Sequence, residues 1–345
     1  MSKKNNSVRS KIRTFDKATK NFLQKSKPKL KDSAYAQYIS VCERHLIPYF
    51  EDIELNRLDG KLVNDFIQSK LKNGGKNGSP LSPKTVSDMI NLFNQIIKPY
   101  HNLDFDVSKP SQGQTEISVL TDAEYNKLKT YLSIGTDYNK LGIITAMLTG
   151  ARLGELCALR WGDIDLDNGF IRIDKTMQRI KITDNMPTLT RITDGSLIAG
   201  QTLNTLLTSP ATSEAKLKNK TKIIIDTPKS NASIRTIPIP EVLLNILKKF
   251  QCPDNTYLLT GKWKYIEPRV YQRHFKAHLQ ACDIKDNKFH TIRHTFATMA
   301  ISRGMDIKTL SVLLGHTDVG FTMKRYVHPN MEHRRKQIEK IAIGF

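Results

Sequence analysis

Ten residues, Asp106 to Thr115 (DVSKPSQGQT), hold a single aliphatic side chain together with a proline and a glycine. They separate two stretches whose apolar residues repeat with different periods. A segment this polar adds nothing to a core and suits a connection between domains, so residues 106–116 read as a linker. Before it, apolar positions recur only at helical steps; after it, strand-like alternation joins them. At 345 residues the chain is long enough for two domains that each bury a core.

The first stretch opens with a basic arm, residues 1–14, and continues as a helical domain over 15–105. Phe15 to Leu23 fits one amphipathic helix. Tyr35, Tyr38, Ile39, Cys42 and Leu46 recur at three- and four-residue steps, with an end expected near Pro48. Leu62, Val63, Phe66, Ile67 and Leu71 repeat the pattern up to the turn-forming Asn73-Gly74-Gly75. Ser82-Pro83 supplies a cap and a first-turn proline for a helix through Val86, Met89, Ile90, Phe93, Ile96 and Ile97.

The second stretch, 117–345, is mixed. Thr121 should cap a helix over Asp122 to Leu132, and Leu141 to Leu148 begins an apolar one. Phe170 to Asp174, Ile223 to Ile225 and Ile234 to Ile237 alternate as strands do. A long polar stretch, taken as an insertion over about 177–220, lies between the first two. From Pro240 the pattern is mostly helical. The expected fold is mainly α with a small antiparallel β-sheet, an α+β chain.

Charge narrows the function. Lys and Arg number 54 against 33 Asp and Glu, a net charge of +21, which concentrates polyanions at the surface. Nucleic acid is the expected partner, with strongly salt-dependent binding; a membrane surface or a ribosome-like assembly would suit charge alone. The N-terminal basic residues have no apolar stretch behind them, as a secretory signal would, and no apolar run reaches the roughly 20 residues of a membrane span. Cys42, Cys157, Cys252 and Cys282 are scattered without metal-like spacing, which suits reduced thiols in the cytoplasm or its nucleoid.

Four motifs in the second stretch carry chemistry. In Thr149-Gly150-Ala151-Arg152-Leu153-Gly154-Glu155, an arginine near a helix start faces a glutamate three residues on, a fork preorganised for phosphate. Such a pair alone is more often a solvated helix pair. Lys229, in Thr227-Pro228-Lys229-Ser230-Asn231-Ala232-Ser233-Ile234-Arg235-Thr236-Ile237-Pro238, falls in a turn between two strand patterns, where a solvated lysine is equally at home. His290-Thr291-Ile292-Arg293-His294 puts His290 and Arg293 on one side of a helix start. His290 and His294 also have the spacing of a zinc pair, but no Glu of the metalloprotease type lies between them and no third ligand is evident. His274 and His278 share that spacing and read as ordinary helix residues. Last, Leu313-Leu314-Gly315-His316 precedes Thr322, Arg325 and Tyr326, a tyrosine that packing alone would explain. Taken in order, two arginines, a lysine, two histidines and a tyrosine meet the needs of phosphodiester transesterification. The guanidiniums offset phosphorane charge, the lysine protonates a leaving alkoxide and a histidine accepts the nucleophile's proton. No cofactor and no metal are called for.

This ordered set resembles the tyrosine recombinase (phage integrase) family, of the mobile-element integrase type. Arg152, Lys229, His290, Arg293, His316 and Tyr326 stand on its six active-site positions, within TGARLGELCALRW, HTIRHTFAT, LLGH and RYVHP. The resemblance implies a C-shaped clamp of a core-binding domain and a catalytic domain around double-stranded DNA. It implies a 3′-phosphotyrosine intermediate, a free 5′-hydroxyl and a homo-tetramer on paired sites, with directionality or DNA-bending factors as possible helpers. In those terms Tyr326 is the nucleophile, Arg152 and Arg293 clamp the phosphate, and Lys229 is the general acid. His290 assists proton transfer, His316 holds a phosphate oxygen and Glu155 supports Arg152.

The stretch between Arg152 and Lys229 is longer than the family's. Lys229 keeps its following Ser-Ile-Arg-Thr-Ile-Pro, yet Lys175 is a rival for its role. The insertion is either a loop or a hairpin that meets DNA or a neighbouring subunit. The tail with Ile338, Ile341, Ile343 and Phe345 either docks on the next protomer or closes its own core. A type IB topoisomerase and a non-catalytic architectural DNA-binding protein are the alternative functions.

Overall fold

The computed structural model describes residues 14–100, 110–111, 117–181, 190–191, 197–198, 221–228 and 230–326, with 335, 338 and 339. Most of the basic arm, the linker, the insertion and the tail fall outside these residues, and so does Lys229. The chain divides into two compact units, Met1–Gln114 with Ile180–Lys222, and Thr115–Arg179 with Ile223–Phe345.

Five helices build the described part of the first unit: α1 Phe15–Ser26, α2 Asp32–Val41, α3 Ile47–Phe50, α4 Gly60–Asn73 and α5 Pro83–Ile97. Asp59 and Ser82 cap α4 and α5 by accepting from the Leu62 and Thr85 N–H groups, and Pro83 occupies the first turn of α5. Pro48 does not end a helix as expected. A π turn, Cys42–Leu46, carries the helical path into α3, with the Ile47 N–H reaching back to the Cys42 carbonyl. That wider turn brings in a proline whose missing N–H would interrupt a regular helix. Inside, Phe15, Phe50, Phe66 and Phe93 are fully buried and stack at centroid spacings of 4.9–5.3 Å.

The second unit begins with α6 Asp122–Ser133, α7 Tyr138–Thr149 and α8 Leu153–Ala158. Thr121 and Glu124 form a reciprocal capping box at α6. Along the chain follow strands β1 Ile164–Asp165, β2 Phe170–Ile173, β3 Thr176–Lys181, β4 Thr190–Arg191, β5 Leu197–Ile198, β6 Thr221–Asp226 and β7 Arg235–Pro238, of which β4, β5 and the adjoining ends of β3 and β6 fall in the 180–222 segment grouped with the first unit. They pair as an antiparallel sheet β1-β2-β7, a pair β3-β6 and a short antiparallel pair β4-β5. Polarity hid β3, which occupies the start of the expected insertion; it alternates with Met177 and Ile180 buried. The strands on either side of Lys229, β6 and β7, belong to different sheets, so their connection is not a hairpin turn. Helices α9 Glu241–Phe250, α10 Pro268–Ala281, α11 His290–Ser302, α12 Ile307–Leu314 and α13 Val319–Tyr326 complete the described part. The main core gathers Leu156, Trp161, Ile171, Leu243, Tyr271, Phe275 and Phe289. A smaller cluster joins α11, α12 and α13 through Ala297, Leu310, Leu314 and Tyr326. No described helix is long and apolar enough to cross a membrane.

Candidate active site

Two left-handed glycines shape the site. Helix α7 ends at Gly150 (φ 66°) and α12 at Gly315 (φ 63°), the usual way a helix stops when the next residue has no Cβ. Each ending frees carbonyls at the negative end of a helix, and arginines take them up. Arg293 donates to the Gly150 carbonyl at 2.8 Å and to the Leu314 carbonyl at 2.6 Å. Arg235 Nε donates to the Leu313 carbonyl at 2.6 Å, and Arg152 Nη2 to the Gly315 carbonyl at 3.1 Å.

Glu155 organises the other side. It sits in the first turn of α8 and is 2% exposed. Its carboxylate accepts from the Arg152 N–H (2.8 Å) and Arg152 Nη1 (2.7 Å), and from Arg235 Nη1 (3.1 Å) and Nη2 (2.8 Å). Burial alone would raise its pKa; the hydrogen bonds and charge of Arg235, then of Arg152, outweigh that and hold it below the usual range. Two guanidiniums thus bind one carboxylate while a third, Arg293, held by neighbouring carbonyls, feels its charge, which leaves two positive charges in excess. Arg293 is buried and Arg152 keeps 32% of its side chain open. An arrangement of this sign is completed by an anion.

His316 accepts from Arg293 Nη2 at 3.0 Å through Nε2 and meets the Thr322 hydroxyl at 2.7 Å through Nδ1. A guanidinium only donates, so Nε2 is the bare nitrogen and Nδ1–H donates to Thr322. The ring is neutral. Burial, then Arg293, Arg152 and Arg235, push its pKa to about 3. The same causes, burial first and nearby positive charge after it, put His290 at about 4. Tyr326 closes α13, 7% exposed, and its hydroxyl lies 2.7 Å from His294 Nδ1. Burial raises its pKa, with Arg293 and Arg325 pulling the other way.

Of the residues singled out by sequence, Arg152–Glu155 and Arg293–His316 form two bonded pairs, whose arginines also hold carbonyls at the end of α12. Tyr326 stands beside the second pair, its ring parallel to that of His316 at 6.5 Å. His290 lies at the start of α11, its ring 4.4 Å from that of His294. Lys175 pairs with Asp163 at 2.6 Å and Asp174 at 3.2 Å. His278 and His274 pack against Tyr131 and Asn139, as ordinary helix residues do. Among the described residues no three His, Cys, Asp or Glu side chains are grouped to hold a metal.

Sequence reading missed two residues. Arg235 gave a signal, an arginine on the inward side of a strand that also buries Ile237, just after an Ile234 left 46% exposed. His294 was weighed only as a metal ligand, although it lies one turn beyond His290 on the same helix.

Known proteins resemble this chain in sequence and fold. The phage integrase family matches residues 211–333, and the phage integrase N-terminal SAM-like domain matches residues 14–71. A tyrosine recombinase XerC-like protein of Caldanaerobacter subterraneus is 28% identical over 245 residues, 66% of this chain and 54% of that protein; the chain therefore spans about half the length of this relative. The ICEBs1 integrase of Bacillus subtilis is 20% identical, covering 90% of this chain and 78% of its own. The Tn1549 transposon integrase, solved in complex with transposon right end DNA, shares the fold with a TM-score of 0.67 at 18% identity, over 94% of this chain and 99% of that one. With two domain models of one family matched in order along its length, the chain belongs to the phage integrase family.

Proposed function

We propose that this chain is a site-specific DNA recombinase that integrates or excises a mobile element, cutting and rejoining strands through Tyr326. One observation carries the reading: two guanidiniums bound to a single carboxylate with a third, Arg293, on carbonyls nearby, two positive charges in excess, beside a tyrosine. A phosphodiester supplies the missing anion. Arg152 and Arg293 bind its non-bridging oxygens and offset the charge that grows on the phosphorane. The Tyr326 oxygen bonds to phosphorus, the bond to the 5′-oxygen breaks, and Lys229 gives that oxygen its proton. The product is a 3′-phosphotyrosine and a free 5′-hydroxyl. His290 assists proton transfer. His316 turns a donor toward phosphate once the incoming anion offsets the positive charge that keeps it neutral. Glu155 aligns Arg152, and no metal takes part.

The charge of +21 suits duplex DNA as partner. The likeness to the Tn1549 transposon integrase and the ICEBs1 integrase favours a mobile element. A lambda integrase tetramer bound to a Holliday junction, a structure sharing this fold with a TM-score of 0.55, supports assembly of four protomers on paired sites. Covalent trapping tests the reading. The chain is mixed with nicked duplexes drawn from the DNA flanking its gene, with EDTA present, and denaturant-resistant adducts are mapped. An adduct on Tyr326, absent in Tyr326→Phe, is expected. Tight, salt-sensitive binding without adduct would leave a non-catalytic DNA-binding protein, and loss of the adduct to chelator alone would overturn the metal-free mechanism.

A further inference from the structure

Helices α11 and α13 share the apolar cluster of Ala297, Leu310, Leu314 and Tyr326, which fixes the tyrosine relative to α11. Across that contact the Tyr326 hydroxyl meets one nitrogen, His294 Nδ1, at 2.7 Å, with His294 6% and Tyr326 7% exposed. His290, one turn earlier, has its ring against His294, with centroids 4.4 Å apart and planes at 83°. The groups facing His294 are His290 and Arg293 on its own helix and Arg325 and Tyr326 on α13. Among the described residues these include no carboxylate. Burial and these positive neighbours hold its pKa at about 4, so the ring is neutral near pH 7 and can take up a proton.

We infer that His294 is a further catalytic residue, the base that takes the phenolic proton of Tyr326. The inference rests on the strand-transfer reading above and deepens it. With its own proton on Nε2, His294 accepts the Tyr326 O–H at Nδ1. As the oxygen bonds to phosphorus the proton moves to Nδ1, giving an imidazolium, and the leaving 5′-oxygen takes its proton from the general acid. In rejoining, the same proton returns to the phenol. The imidazolium forms one side chain away from the phosphorane, whose negative charge stabilises it. His290, which touches the His294 ring, is then a positioning residue for the base.

The test uses the full chain and the nicked duplex that traps it at Tyr326. A second duplex has sulfur in place of the bridging 5′-oxygen, so the leaving group departs as a thiolate and needs no general acid. His294→Asn keeps a hydrogen-bond acceptor near the Nδ1 position but cannot take a proton; His294→Ala removes both. Adduct formation at pH 7 should slow about 100-fold or more in each variant, on both duplexes, with duplex affinity unchanged. The rate of His294→Asn should climb with pH toward ionisation of the tyrosine, while the wild type levels off. Rates within threefold of wild type, rescue by the sulfur duplex, or a slowed rate whose pH profile parallels the wild type would each overturn the inference. If the wild type itself forms no adduct, the strand-transfer reading falls first and takes the inference with it. Should His294→Ala not fold, His294→Asn decides alone.

Discussion

The interiors of the two units are built on opposite principles. In the first, the largest buried side chains are Phe15, Phe50, Phe66 and Phe93, and the buried polar groups are Thr19 and Ser87. Thr19 is satisfied by the Phe15 carbonyl one turn back on its own helix. In the second, Glu155, Arg235, Arg293 and His294 are buried beside an apolar core of ordinary kind. Apolar burial stabilises by about 25 cal/mol per Å² and tolerates change as long as volume is kept. Buried charge is costly unless every group is paired, and replacing such pairs with apolar residues often stabilises a protein. Stability alone therefore accounts for the first interior and not for the second. The excess of guanidinium is explained by what it receives.

Three substitutions or conditions probe that contrast, beginning with the strongest effect. Phe93→Ala empties the middle of the aromatic cluster and should cost about 3–5 kcal/mol in denaturant unfolding, with adduct chemistry intact in the molecules that stay folded. A cost under about 1 kcal/mol would mean that the first core collapses freely, and the contrast would fail. Next, Arg235→Met removes both bonds to one face of the Glu155 carboxylate. It should destabilise by about 3 kcal/mol, at the lower end for a broken buried pair because Arg152 remains. Glu155→Gln in the same background should recover part of the loss, and a double-mutant cycle should give a coupling of about 1–3 kcal/mol. Strict additivity would show that the two residues do not act as a pair. The smallest effect is that of a single pH step from 7 to 6. His290, His294 and His316 have folded pKa values of about 4, 4 and 3 against 6.5 unfolded. The folded state favours their neutral forms, so their contribution is fully present above pH 6.5 and is lost as pH falls toward 4. The urea midpoint of the second unit should be flat from pH 7 to 8 and decline steadily below 6.5. A midpoint that rose on acidification would contradict the burial of neutral rings.

Much of this was legible in the sequence, for definite reasons. Helices α5 and α6 could be placed because cap and apolar period agree at Ser82 and Thr121, and α4 because its apolar period stops at Asn73-Gly74-Gly75. The bonded pairs Arg152–Glu155 and Arg293–His316 could be anticipated because each residue sits at a helix start or just past a helix end, where spacing sets direction. Strand β3 was hidden, since Thr176, Gln178, Arg179 and Lys181 make it polar and only Met177 and Ile180 turn inward. The helical path through Pro48 was hidden by a π turn that no periodicity announces. Arg235 and His294 were missed for another reason: each acts through a partner distant in sequence, at Glu155 and Tyr326, and no local pattern records a contact across 80 or 32 positions.

Gly315 has a wider consequence. A methyl group there would stand 3.1 Å from Arg235 Nη1 and from the Ala232 carbonyl, on a backbone with φ 63° that a side chain resists. Its carbonyl, meanwhile, receives Arg152 and the Ser233 hydroxyl. Folding and chemistry thus share one atom-sized tolerance: a side chain at 315 would press on the arginine that holds Glu155 and shift the carbonyl that holds Arg152.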